Sequence, residues 1–439
     1  MKKTLGNWGN YPMVEADEKS YSFDDQLGTI LENGDNIIAR GNGRCYGDAS
    51  LSDQVISTLK SDNILEFDTN NGIFDAQAGI LLKDILDVVV PKGWFLPVTP
   101  GTKYISLGGA LASDVHGKNH HVDGSFSDHV LSFRLMMSDQ TIKEVTPDDY
   151  DLFYATAGGM GLTGVILSAK IRLKKIETSF IRQKQVKAKN LDEIMDLFES
   201  HAHYTYSMAW IDCLQSGRKL GRSIMIVGEH ASTEEVASKD KLKLPGEKKL
   251  NMPFYLPGFV LNRLSIKAFN LLYYFKNYRK EMNSVVPYDG FFYPLDSILH
   301  WNRMYGKRGF VQYQFVLPLD KSREGLREIL ERINKKGWGS FLAVLKLFGK
   351  QNGMISFPME GYTLALDFPV RKGLLPFLDE LDELVLKYEG RIYLSKDARM
   401  NRKMMNSGYP ELEKFNQLIN TYNPQHKFSS VQSKRLFGL

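Results

Sequence analysis

Cysteine is scarce in this 439-residue chain. Cys45 and Cys213 are the whole complement, which excludes a disulfide framework, gives no zinc spacing and fits a reducing compartment. Long apolar runs are missing too. No stretch of eighteen uninterrupted apolar residues occurs, so no membrane-spanning helix is expected. The first ten residues are basic but carry no apolar h-region; no secretory signal is expected, and the expected location is cytoplasmic. A net charge of +5 admits anionic ligands and anionic lipid. No basic tract interleaved with aromatics dominates, so nucleic acid is not expected as a partner. His116, His120 and His121 lack a cysteine or carboxylate at ligand spacing to complete a site, and no metal is expected. No internal repeat or low-complexity tract is evident.

What is present is an ordinary globular composition, 43% hydrophobic and 24% charged, in a chain long enough for two domains. Two loops stand out. From Pro97 to Gly117 the chain reads PVTPGTKYISLGGALASDVHG. Pro97, Pro100 and Gly101 forbid a regular element, yet the tract is apolar enough to be buried. A buried loop must satisfy its own N–H groups, and Gly108-Gly109 let another molecule approach the backbone. Upstream, after the short strand Asn36–Ala39, comes Arg40-Gly41-Asn42-Gly43-Arg44-Cys45-Tyr46-Gly47-Asp48. Two such loops can hold a pyrophosphate without a P-loop lysine motif. Gly159-Met160-Gly161-Leu162-Thr163-Gly164 matches G-x-G-x-x-G, but it does not follow a first strand, and no βαβ acid lies about 20 residues on. A nicotinamide site is rejected.

Residues 1–178 read as short strands broken by glycine, around 37–39, 55–59, 73–76 and 164–173, with one helix over 81–90 that stops at Pro91. After residue 179 the period changes. Leu191, Ile194, Met195 and Phe198 recur at helical spacing behind Asn190, a cap residue. Leu326, Ile329, Leu330 and Ile333 do so behind Ser322, and Leu378, Leu381, Leu384, Val385 and Tyr388 form a third stripe. Apolar or alternating runs at 206–213, 310–317, 341–348 and 362–368 separate these helices. The fold class is α+β, and residues 179–390 predict a mainly antiparallel sheet covered on one face by helices. Residues 238–285 form a basic, aromatic insertion. It suits a membrane interface and equally a mobile insertion with one helix packed on its own domain.

The two loops, together with the 151–166 segment, resemble the FAD-binding (PCMH-type) domain of the vanillyl-alcohol-oxidase-type flavoproteins. Within that family the chain is similar to the decaprenylphosphoryl-ribose 2-oxidases, the flavin half of an epimerase. The resemblance continues in Ser113–His121, Tyr206–Trp210, Gln312–Phe315, Lys346–Gly349 and Tyr393–Arg399. It implies a two-domain flavoprotein, with FAD domain 1–178, substrate domain 179–390 and a return to the FAD domain over 391–439. It implies FAD contacts from the Arg40–Tyr46 loop, Pro100, Gly101, Thr102, Ser106, Gly108, Gly109, Ala112, Ser113, His116, Gly117, Gly159, Gly161, Gly164, Val165, Ile166, Tyr393 and Lys396. Relatives often attach FAD through a loop histidine. Here Arg44-Cys45-Tyr46 follows Gly43, so noncovalent FAD is expected, with Cys45 as the residue to watch.

The same resemblance places Lys396 and His116 at the reacting centre. Lys396 could take the hydroxyl proton or stay charged and stabilise the reduced flavin; both roles stand open. Lys118, Gln312, Gln314 and Lys346 would line the sugar pocket, the two glutamines falling on one strand face by the period of two. The chain departs from the family where Ala365 replaces a cysteine, Thr363 an asparagine and Phe292 a tyrosine, all at the pocket rim. The implied reaction is oxidation of the 2-hydroxyl of a polyprenyl-phosphate-linked ribose to a 2-keto sugar. An NAD(P)H-dependent short-chain reductase would complete the epimerisation to the arabinose form, and an anionic membrane surface would be a peripheral partner. The alternatives are a soluble alditol or sugar-lactone oxidase using oxygen, and a flavin-fold protein that binds without turnover.

Overall fold

A computed structural model describes residues 2–246 and 250–438. Its first 178 residues build two larger sheets and a short pair, Trp94–Phe95 with Lys174–Lys175. Lys2–Gly6, Met13–Ser20, Gln54–Ser57 and Ile37–Arg40 lie side by side in that order. The second sheet runs Ile64–Asp68, Ile73–Gln77, Val165–Arg172, Val130–Met136, Ile142–Val145, all antiparallel. Ile37, Ile56, Val165 and Leu167 bury together with Phe428 between the two. The helix read over 81–90 spans Leu82–Val89 and passes at Val90-Pro91 into a single 3-10 turn, where proline's missing N–H is harmless.

The rest of the chain is organised by an eight-stranded sheet in which every pair is antiparallel. Its inner positions, among them Ala209, Ile211, Leu345, Leu364, Phe315 and Leu317, pack under the helices Leu191–Ser200, Leu319–Lys336 and Leu374–Lys387. Asn190 caps the first of these by accepting the Glu193 amide at 3.0 Å. The second starts earlier than its apolar stripe suggests. Ser322 is inside it, and its hydroxyl bonds back to the carbonyls of Leu317 and Pro318.

The basic insertion is more integrated than its composition indicates. Leu250–Asn251 pairs in parallel with Ile298–Leu299, Arg263–Lys276 is a capped helix, and Glu281–Pro287 closes the edge of the large sheet. Glu247, Lys248 and Lys249 lie outside the described residues. Among the described residues no helix is long and apolar enough to cross a membrane.

The C-terminal residues return to the first sheets. Ile37 donates to the Lys427 carbonyl at 2.8 Å, Val431 to Leu51 at 2.8 Å, and Arg435 pairs with Asp48 at 2.8 Å. At this seam Gly47 lies against the Asp397 carbonyl so closely that a Cβ would overlap it. Gly47→Ala should therefore lower the thermal midpoint and the cofactor content of the purified protein together. Unchanged values in a melting curve and a flavin absorbance spectrum would show that the seam yields without cost.

Candidate active site

A cavity of about 690 Å³ opens between the two glycine loops and the free face of the large sheet. The loops hold each other. Asn42 donates its side-chain amide to the Tyr104 carbonyl at 2.8 Å, and a Cβ on Gly41 would collide with Ser106. Ser106 in turn caps the Leu107–Ala112 helix by accepting the Gly109 amide at 3.3 Å. Gly43 has φ +58 and Gly161 φ +80, the left-handed region where a side chain is strained. Among the described residues, the backbone amides of residues 42–45 find no protein acceptor. Those amides remain available to an anionic guest.

Of the residues assigned to the cofactor from sequence, Arg40 to Tyr46, Pro100, Gly101, Thr102, Ser106, Gly108, Gly109, Ala112, Ser113, His116, Gly161, Gly164, Ile166, Tyr393 and Lys396 line this cavity. Gly117, Gly159 and Val165 do not. Gly117 packs on Asn119 and Thr99, and Gly159 on the Ala155 carbonyl. Val165 sits between two wall residues and by strand alternation faces the other way, into the core between the first two sheets.

On the opposite wall stand Gln312, Gln314, Lys346 and Ala365, with Lys118 and Phe292 closing one side. Antiparallel register pairs Gln314 with Ala365, Gln312 with Asp367 and Lys346 with Thr363, so all six share one face of the sheet. Thr363 is not on the cavity surface. Its hydroxyl donates to the Phe315 carbonyl at 2.8 Å and accepts from the Gln314 amide at 3.2 Å. That amide also reaches His116 Nε2 at 3.2 Å. An amide nitrogen only donates, so His116 accepts at Nε2 and carries its proton on Nδ1, which has no protein partner among the described residues. Thr363 thus fixes Gln314, and through it the His116 tautomer.

The cations decide the electrostatics. Among the described residues Asp296 is the one carboxylate on the wall, against Arg40, Arg44, Lys118, Lys346 and Lys396. No carboxylate lies within ion-pair distance of the three lysines among the described residues. Loss of water pushes Lys396 down to about 7, against the pull of Asp367, and Lys346 to about 8. Lys118, whose ammonium donates to the Phe291 carbonyl, falls to about 7 by burial and the nearby Lys346 charge. His116 sits well below its ordinary range, through burial first and then Lys346, His120 and Lys396. At neutral pH it is the uncharged imidazole.

Lys396 Nζ rests 3.9 Å from the centroid of the Tyr46 ring, and Arg44 stacks on Trp8 at 3.9 Å. Asp367 is a member that the sequence reading missed. It accepts from Gln312 at 2.6 Å and from the Tyr305 hydroxyl at 3.0 Å, and burial lifts it to about 7. Its signal was present, a carboxylate inside the apolar strand 361–369. His120, by contrast, is held by Gln351 at 3.0 Å and by the Gly349 amide at 3.2 Å, which makes it a structural histidine.

Comparisons with known sequences bear on this cavity. A model of the FAD binding domain matches residues 26–146, which contain both glycine loops. Decaprenylphosphoryl-beta-D-ribose oxidase of Mycolicibacterium smegmatis is 37% identical, over 99% of this chain and 97% of its own length. An uncharacterised Streptomyces coelicolor protein is 32% identical over 81% of this chain and all of its own. A probable D-2-hydroxyglutarate dehydrogenase of rice shares 25% over 43% of this chain and 37% of its own length. FAD is the cofactor. The residues present fit it: open amides and five cations against one carboxylate suit a pyrophosphate.

Cys45 is half-buried, its sulfur 3.3 Å from the Ser50 hydroxyl, and desolvation pushes its thiol up, away from the reactive thiolate. Acid precipitation should accordingly release all flavin into the supernatant. Flavin retained in the pellet would identify a covalent link instead.

Proposed function

Because the chain belongs to the family of the FAD-dependent decaprenylphosphoryl-β-D-ribose oxidase, we propose that it oxidises the 2-hydroxyl of a polyprenyl-phosphate-linked ribose to the 2-keto sugar. This is the first half of an epimerisation, and an NAD(P)H-dependent short-chain reductase would complete it. Bound FAD supplies the two-electron acceptor for the hydrogen leaving the carbon. The observation that carries the reading is the wall of the cavity, where Lys396, Gln312 and Gln314 meet with no ion-pair partner for the lysine among the described residues.

Lys396 is assigned as the base. Its depressed pKa, about 7, leaves a large neutral fraction at physiological pH, as a proton acceptor requires. His116 is the weaker candidate because Gln314 already occupies Nε2. Gln312 and Gln314 hold sugar hydroxyls, each fixed from behind, by Asp367 and by Thr363. Lys118 and Lys346 supply positive charge for the substrate's phosphate. Phe348, Phe357 and Tyr393 surround His116 at ring distances of 4.7 to 5.6 Å and keep water from that side.

Anaerobic addition of a polyprenyl-phosphoryl ribose should bleach the bound flavin, whereas an alditol should not. The reverse result would make the protein a soluble alditol oxidase. Lys396→Ala should retain FAD and slow bleaching by about 10²–10⁴-fold. In the parent protein the bleaching rate should rise as pH passes upward through about 7, since the acceptor is the deprotonated amine. A pH-independent rate would leave Lys396 an electrostatic role.

The insertion offers a place to meet the lipid-linked substrate. Phe259, Leu264 and Leu272 are 76%, 78% and 73% exposed, and Arg263, Lys267, Lys276, Arg279 and Lys280 stand among them. Apolar side chains ringed by cations suit an anionic bilayer surface, with each cation contributing about 1 kcal/mol. The protein should co-sediment with anionic liposomes at low salt and partly detach at high salt. Deletion of residues 241–280 should weaken that binding; liposome binding equal to the parent would dismiss the membrane role.

A further inference from the structure

The sheet face that forms the cavity wall changes character from one side to the other. Gln312 and Gln314 stand on the Phe310–Pro318 strand, which is separated from the Tyr206–Ile211 strand by Gly361–Pro369 and Ala343–Phe348. On that far side the facing residues are Trp210, paired with Val344, and Met208 two positions before it. All three line the cavity. The wall is amide-bearing beside Lys396 and wholly apolar across the sheet, with Lys346 between the two halves.

Over the apolar half lies the Arg263–Lys276 helix. Ile266, Phe269 and Tyr273, three and four residues apart, turn toward the same cavity. The Tyr273 ring packs 4.7 Å from Trp210, and Phe269 lies 5.5 Å from Phe341. The helix is pinned from below. Buried Asn270 donates to Asp212 at 2.8 Å, and Asp212 is paired with Arg222 at 2.9 Å. Val260 and Leu261, just ahead of this helix in the chain, line the same cavity, and Phe259 and Leu264 on either side of them are exposed. The slot is therefore largely apolar on both walls and continuous with the polar pocket. The chain beside it carries the most exposed apolar side chains of the insertion.

We propose that this slot holds the first isoprene units of the substrate's own lipid tail, with the phosphodiester at the Lys346 boundary. The proposal rests on the functional reading above. A flat apolar wall facing a row of apolar, mostly aromatic side chains fits a methyl-branched, unsaturated chain. Such a chain gains by leaving water along its length. The remaining tail would emerge past Val260 and Leu261 toward the bilayer.

The test is the chain-length ratio. Anaerobic flavin reduction is measured with ribosyl phosphates carrying a five-carbon and a twenty-carbon prenyl tail, at one fixed detergent concentration. The parent should prefer the longer tail by about tenfold or more in kcat/KM. In Phe269→Ser and Val260→Asp that ratio should fall toward one. A general loss of activity or folding cancels in the ratio, and the two variants sit on different elements. If both substrates reduce the flavin equally in the parent, or if both variants keep the full ratio, the slot is not the tail site while the functional reading stands. If neither substrate reduces the flavin, the functional reading falls and this proposal with it. Binding of farnesyl phosphate, followed by calorimetry, is the companion measurement. It should be weakened in both variants, and affinity equal to the parent would overturn the assignment without reference to turnover.

Discussion

Taking an ammonium group out of water costs several kcal/mol unless a counter-charge is placed beside it. This cavity holds three lysines with no carboxylate in ion-pair contact among the described residues. Lys118, Lys346 and Lys396 are there because backbone register and chain reversal put them there, and each responds by losing basicity. The deficit of negative charge favours anionic guests. A neutral sugar would not relieve it, whereas the phosphates of a dinucleotide and of a phosphorylated lipid would. On the proposed function the same deficit would also serve the chemistry. A lysine that sheds its proton near neutral pH can accept another, and a fully solvated lysine cannot.

The supporting groups are arranged to keep these states fixed. Asp367 lies behind Gln312 and acts on Lys396 through space, opposing the loss of basicity without forming an ion pair. Thr363 orients Gln314, and Gln314 selects the His116 tautomer. These contacts come from two adjacent antiparallel strands, Phe310–Pro318 and Gly361–Pro369. A slip of one residue would turn both glutamines into the helix-covered core. The hydrophobic face under Leu319–Lys336 is therefore also what aims the polar face.

Much of this was legible in the chain. The alternation around Gln312 and Gln314 predicted a shared face, and the sheet delivers it. The helical stripe behind Asn190 predicted a capped helix, which is present. Glycine-rich loops announced an anion cradle because few other roles need so many open amides together. What stayed hidden depends on pairing partners distant in sequence. Thr363 read as pocket rim and is instead a hydrogen-bonded support. Val165 was taken with its neighbours Gly164 and Ile166, although a strand turns every second residue away. The apolar half of the wall, with Trp210, Phe269 and Tyr273, could not be assembled from spacing, since it needs the helix of the insertion to be laid on a strand some sixty residues earlier.

The seam between the first loop and the chain end has a consequence for the order of assembly. The Tyr46 amide bonds to the Ser395 carbonyl at 3.0 Å, Gly47 abuts Asp397, and Arg435 bridges Asp48 and Asp397 at 2.8 and 2.9 Å. Contacts of such long sequence separation form late, after the loop-closure entropy of everything between them has been met. During synthesis, both glycine loops leave the ribosome hundreds of residues before the segment that braces them. A nascent chain would carry the cofactor-binding sequence without a finished cofactor site until that bracing segment had emerged.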